Sequence, residues 1–215
     1  MYHRPEIYAY LAKRKIPHVV FGEKAAKPAS AVGAIHFDYN MANSDFAAAC
    51  KAADINEVVE VYWHKLMCDV APALKKVGIK VRKIKVPVDE SEGRLIGVKR
   101  AGRQAFERLT GNGEFSRRKR SCFFVADDYL TEGALLALSY AGLKIPEDVR
   151  LATWANTGLG PDNARPLSRM EMNPSEAGVT VALAIVEYLK KGKFPDNVTV
   201  GPRWFMGGTM TGLDV

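Results

Sequence analysis

Three apolar runs end in residues able to do chemistry. VVEVYW (residues 58–63) ends at Trp63 and is followed by His64; CFFVA (residues 122–126) is followed by Asp127 and Asp128; VRLATW (residues 149–154) ends at Trp154 and leads into Ala155 and Asn156. Carboxylates and amides exchange paired hydrogen bonds with vicinal hydroxyls, and an indole covers the apolar face of a sugar ring. If the three runs are neighbouring parallel strands, their tips open on one crevice suited to a neutral polyol or carbohydrate. The ligand-binding residues expected on this basis are Asp128, Asn156, Asp127, Trp154, His64 and Trp63.

Each also has a structural use. Asp128 precedes a helical pattern and can be its N-cap, a role compatible with ligand contact. Both tryptophans can pack in a core, Asn156 beside Thr157-Gly158 can shape a turn, and His64 lacks a second metal-type partner. Asp127, Asp128 and His64 make a poor metal site, because adjacent residues at a strand tip point apart. Catalytic signatures are missing: there is no G-x-G-x-x-G after a strand, no G-x-x-x-x-G-K-[ST] and no G-x-S-x-G, and Gly207-Gly208-Thr209 is too short to be a phosphate loop. No catalytic residue, cofactor or metal is expected.

The elements that must position these residues follow from patterning. Short β-branched runs at residues 16–21, 34–37, 58–63, 81–86, 122–126 and 149–154 alternate with helical patterns at 45–53, 69–77, 97–109, 131–141 and 174–191. That alternation predicts an α/β fold with parallel sheets. The last helix carries Ala177, Val181, Ala184, Ile185 and Leu189 on one face and closes on Lys190, Lys191 and Gly192. Residues 117–120 (RRKR) form the one charge run, read as a solvated loop since no aromatics interleave with it. Residues 157–166 form the one long irregular segment.

At 215 residues, one large domain or two small lobes are both allowed. A hydrophobic content of 47% supports a real core, and a net charge of +7 favours polyanions without naming one. Cys50, Cys68 and Cys122 are widely spaced and odd in number, which argues against a disulfide framework or zinc site and for a reducing, cytoplasmic setting. The most apolar late stretch, residues 179–186, falls short of the ~18 residues a membrane span needs, so no membrane partner is expected.

The stretch FFVADDYLTEGALLALSYAGLKIPEDVRLATWAN resembles the LacI/GalR family of bacterial transcription regulators. The matching features are a strand ending in an aspartate, a helix with Gly133, then Gly142, then Ile145-Pro146-Glu147-Asp148-Val149 leading into the next strand. Ile16-Pro17 with Val19-Val20, Phe37-Asp38, Pro166-Leu167-Ser168-Arg169 and Gly178 look like further family features in the right order, so the resemblance covers nearly the whole chain. It implies a two-lobed periplasmic-binding-protein-like type I fold with a small effector in the cleft. Residues 1–38 and 172–194 would form the N-terminal lobe, and residues 39–171 and 195–215 the C-terminal lobe.

The same resemblance implies a homodimer that meets operator DNA through an upstream module. Because that module and the opening strands of the first lobe have no counterpart, Met1 reads as a start inside a longer regulator with an incomplete first lobe. Three positions depart from the family pattern. Leu66 stands where an arginine is common, Ala155 where an aspartate is common (with Asn156 beside it), and Gly207-Gly208-Thr209 replaces Arg-x-Ser. Asp128 is the contact best carried over. The function expected is the effector-binding and dimerisation region of a sugar-responsive regulator. The alternatives are a solute-binding protein of a transport system and, third, an α/β enzyme.

Overall fold

The computed structural model describes residues 5–22, 27–64, 68–117 and 120–211. In chain order it runs α1 (Pro5–Lys13), β1 (Val19–Gly22), β2 (Gly33–Phe37), α2 (Asn40–Ala52), β3 (Glu57–Tyr62), α3 (Ala71–Lys76) and β4 (Lys80–Lys85). There follow α4 (Arg94–Gly111), α5 (Glu114–Arg117), β5 (Ser121–Val125), α6 (Asp128–Tyr140), β6 (Arg150–Asn156) and β7 (Ser168–Met172). The chain closes with α7 (Pro174–Lys191), β8 (Val198–Val200), β9 (Arg203–Phe205) and α8 (Gly208–Thr211). Two compact units divide it: Met1–Tyr39 with Asn173–Pro202, and Asn40–Met172 with Arg203–Val215.

The first unit holds a parallel sheet of order β1-β2-β8, with Val20 beside Ala34 and Ile35 beside Val198. The segment 195–202, expected in the second lobe, therefore lies in the first unit, because Val198–Val200 completes this sheet. The helix α7 is built from local signals: Asn173 accepts from the Ser175 and Glu176 amides at 3.0 and 3.2 Å, Pro174 opens the first turn, and Gly192 ends it at φ 69°. Its inner face is Ala177, Val181, Ala184 and Tyr188, packed with Ile35, Phe194 and Val200. Leu189 and Ile185, expected on that face, are exposed (74% for Leu189). A three-stranded sheet covers only one narrow stripe of a helix, and these two residues lie beside it.

The second unit is built on a six-stranded sheet of order β4-β3-β5-β6-β7-β9, parallel except for the antiparallel β7–β9 pair. Alternation along each strand separates two faces. Val59, Val61, Phe123, Val125 and Leu151 join one core with residues of α4 and α6. Phe124 faces the other way onto Phe46 of α2, with ring centroids 5.2 Å apart, and Trp204 of β9 meets the same phenylalanine at 4.9 Å.

On the first face α4 and α6 touch backbone to backbone. A Cβ on Gly133 would sit 1.9 Å from the Lys99 carbonyl oxygen, and one on Gly102 would sit 2.1 Å from that of Leu130. The end of the chain is a structural clip. Thr209 Oγ1 donates to the Leu151 carbonyl (2.7 Å) and accepts from the Ser168 amide (2.9 Å), while the Ser168 hydroxyl bonds the Gly207 backbone. Strands β7, β8 and β9 escaped the sequence reading because β7 alternates polar and apolar residues and the other two have three residues each. Leu66 and the centre of the RRKR run, Arg118 and Lys119, lie outside the described residues; Arg120 pairs with Asp54.

Candidate functional site

The tips of β3, β5 and β6 lie side by side because the strands pair in parallel, Val61 beside Val125 and Val125 beside Thr153. The chain leaves β5 through Ala126 and holds Asp127 extended, at φ −163° and ψ 134°. From there Asp127 Oδ1 accepts from the Leu130 amide (2.9 Å) and Oδ2 from Trp63 Nε1 (3.0 Å). The N-cap of α6 is thus Asp127, one residue earlier than the capping role considered for Asp128. The strand ends early enough for Asp127 to take the extended backbone a cap needs, which leaves Asp128 as the first helical residue.

Asp128, half-buried, accepts from the Tyr129 amide at 3.0 Å. Burial, and then the neighbouring Asp127 carboxylate, push its carboxyl above the ordinary aspartate range, partly opposed by backbone amides. It opens on a cavity of about 380 Å³, with Tyr129 and Glu132 of α6 on the same wall and the loop 159–162 opposite. Lys99 closes on that wall, bonding Glu132 at 2.8 Å and lying 5.6 Å from the Tyr129 ring centroid. The irregular segment 157–166 was visible in the sequence; that its residues 159–162 face the start of α6 was not.

Trp63 is held on three sides. Its indole donates to Asp127, its ring lies 4.5 Å from that of His64, and the Arg94 guanidinium sits 4.8 Å from its centroid. Arg94 opens α4 and carries no sequence signal beyond its charge. Trp63, Asp127 and Asp128 therefore form one group on the α4 and α6 side of the sheet.

Asn156 and Trp154 belong to the opposite face. Thr153 points to α6, where its hydroxyl meets that of Thr131 at 2.7 Å, so residues 154 and 156 alternate away from it. Trp154 stands in a row with Met170 and Trp204, and its Nε1 is buried with no hydrogen-bond partner among the described residues. The Asn156 carbonyl accepts from the Leu159 amide (3.1 Å), and Thr157 bonds back to Met172 and Glu171, so Asn156 also begins the loop that lines the cavity. The single crevice expected for all six residues is thus divided by the sheet. Asp128 lies on the cavity, Trp63 and Asp127 brace the tip beside it, the His64 ring meets that of Trp63 at a tilt of 56°, and Asn156 and Trp154 lie across the sheet plane.

Hydroxyl-bonding groups, a bound indole and a cavity at the carboxyl ends of parallel strands suit a small polar ligand. Among the described residues no cluster of three His, Cys, Asp or Glu side chains could hold a metal ion. The three cysteines are buried thiols whose burial raises their pKa, for Cys122 to about 12, so none is poised as a nucleophile. No described helix is long and apolar enough to cross a membrane.

Comparison with known proteins places this geometry in context. A family model described as a periplasmic binding protein-like domain matches residues 72–210. No curated protein sequence matches the chain. Among solved structures, a LacI family transcriptional regulator from an Arthrobacter species, in complex with lactose, is similar with a TM-score of 0.70 at 19% identity, over 94% of this chain and 76% of that one. A LacI family regulator from Enterococcus faecalis with bound ribose gives 0.70 at 21% identity, over 97% and 74%. A probable maltose operon transcriptional repressor from Staphylococcus aureus gives 0.65 at 14% identity, over 96% and 80%. At these identities the likeness is one of fold.

Proposed function

The chain belongs to the periplasmic binding protein-like domain family, and from that premise we propose that it is the effector-binding and dimerisation region of a sugar-responsive transcription regulator of the LacI/GalR type, without catalysis of its own. The observation that carries the reading is the placing of Asp128 on a cavity beside a strand tip braced by the Trp63–Asp127 hydrogen bond. With the cap supplied by Asp127, the Asp128 carboxylate is available to hydroxyl groups of a ligand. Structural relatives with lactose or ribose bound support a carbohydrate or polyol as that ligand. Exposed Val179, Leu183 and Leu189 on α7 leave an apolar stripe of the kind a second copy buries, which supports the dimer. Operator DNA would be met through a module outside this chain, in the cytoplasm.

The test is calorimetric titration of the wild type, Asp128→Ala, Asn156→Ala and the double variant against a panel of sugars and polyols. Losing a carboxylate that pairs with a buried hydroxyl costs ~1 to 3 kcal/mol, or roughly five- to 150-fold in affinity. Asp128→Ala should lose binding by that factor. Asn156→Ala should do so only if the ligand reaches across the strand tips, in which case the two losses are non-additive. Saturable binding of a sugar with unchanged affinity in Asp128→Ala would remove the residue that carries the reading.

A further inference from the structure

Glu60 stands in the middle of β3 with no exposed surface, on the sheet face that packs against α2. A carboxylate is costly there unless paired and hydrogen-bonded. Neither of its oxygens meets full hydrogen-bond geometry among the described residues, though the Val70 amide at the start of α3 and the Lys83 ammonium both lie close enough to favour its charged form. The nearest cation is Lys83 Nζ, from the lateral neighbour on β4, at 3.5 Å. That ammonium lies closer to a second carboxylate, 3.0 Å from Asp69 Oδ1.

Asp69 in turn holds the entry to α3. Its Oδ1 accepts from the Ala71 amide at 3.1 Å, and its carbonyl accepts from Asn43 Nδ2 of α2 at 3.1 Å. The remaining neighbours of Glu60 are uncharged: the Val70 amide, Phe124 beside it on β5, and the Cys68 thiol, whose pKa burial and then Glu60 raise. Lys83 and Asp69 are the charged groups that face Glu60 among the described residues. One ammonium therefore serves two carboxylates, one wholly buried and one half exposed.

We infer that Glu60, Lys83 and Asp69 form a proton-operated latch between the edge strand β4 and the segment that opens α3. With Glu60 neutral, Lys83 belongs to Asp69 and clamps the two elements together. With Glu60 charged, Lys83 is drawn inward from Asp69 and the hold on the start of α3 weakens, a loss that the Val70 amide's attraction for the charged carboxylate offsets only in part, since burial still dominates. Burial raises the Glu60 carboxyl to about 7 even against the opposing pull of Lys83, so the latch operates near neutral pH. Lys83 remains cationic throughout, since burial, which lowers its pKa, is outweighed by Asp69 and Glu60 together, and the net shift is upward.

The sign follows from linkage. Because the folded-state pKa of Glu60 lies above the 4.5 of a free glutamate, folding takes up a proton between pH 4.5 and about 7. The stability gained is fully present below that window and is lost as pH rises through about 7.

The experiment is carboxyl carbon-13 NMR titration of the whole chain, with amide exchange of Ala71–Lys76 followed in parallel. Glu60 should titrate with a midpoint above about 6, and once intrinsic base catalysis is removed the α3 amides should open about tenfold more readily at pH 8 than at pH 6. Glu60→Gln should make that opening independent of pH. Lys83→Met, which keeps the length of the side chain but not its charge, should move the Glu60 midpoint further up. A Glu60 midpoint of about 6 or lower, an unmoved midpoint in Lys83→Met, or the same pH dependence of opening in Glu60→Gln would each overturn the latch. The wild-type and Lys83→Met titrations decide the matter even if Glu60→Gln does not fold.

Discussion

Two adjacent aspartates with the same chemistry do different work because one backbone turn separates their directions. Asp127 has both oxygens engaged, by the Leu130 amide and the Trp63 indole, whereas Asp128 bonds the Tyr129 amide and opens on the cavity. Asp127→Ala removes a cap and leaves an indole N–H unmatched, so it should lower stability by ~1 to 3 kcal/mol in urea unfolding. Asp128→Asn should do the opposite at pH 7. Its carboxyl is pushed up by burial and by Asp127, so the charged form opposes folding and the amide relieves that cost. The variant should be more stable than wild type at pH 7, and the difference should shrink as pH falls through the raised pKa. Urea midpoints measured across that range check both statements.

At the scale of elements, α4 and α6 of the second unit meet backbone to backbone, and that closeness depends on Gly102 and Gly133. Gly133→Ala drives a methyl into the Lys99 carbonyl, an overpacking that should cost ~1 to 3 kcal/mol or more. Gly178, in the second turn of α7, has open space where a Cβ would go. Gly178→Ala should therefore stabilise the helix by ~0.5 to 1 kcal/mol, through the lower backbone entropy of alanine in the unfolded chain. Thermal unfolding of the two variants should move in opposite directions. Both glycines look alike as helical glycines in the sequence; only the neighbouring helix distinguishes them.

Across the whole molecule the two units carry unequal protection. Among the described residues the second has six strands, with every residue of β5 buried, and the first has three, with β1 at an edge that no described strand covers. A short sheet with an unpaired edge opens more readily. Amide exchange should accordingly be slowest within residues 122–154 and faster within residues 16–37; the reverse order would contradict this account. The net charge of +7 adds a second expectation. The chain should bind DNA only weakly, without sequence preference and with steep salt dependence, which fluorescence anisotropy at two ionic strengths checks.

Much of this architecture was legible in the sequence because it rests on short-range signals. The buried runs CFFVA and VRLATW, the stop at Gly192 and the irregular loop after Asn156 all depend on residues within a few positions of one another. The parallel direction of the strands follows from the same alternation, whereas the order that brings the tips carrying Trp63, Asp127 and Asn156 side by side belongs to the tertiary structure. What tertiary structure alone decided is non-local. The sheet plane sends Asn156 and Trp154 to one side and Asp128 to the other, and Asp127 becomes the cap because β5 ends where it does. Glu60, unremarked inside an apolar run, meets Lys83 only because β3 and β4 pair in that register. Side-chain direction along a strand has a period of two, so a residue type known from the sequence acquires its partner only when the strand, its neighbour and the covering helix are in place.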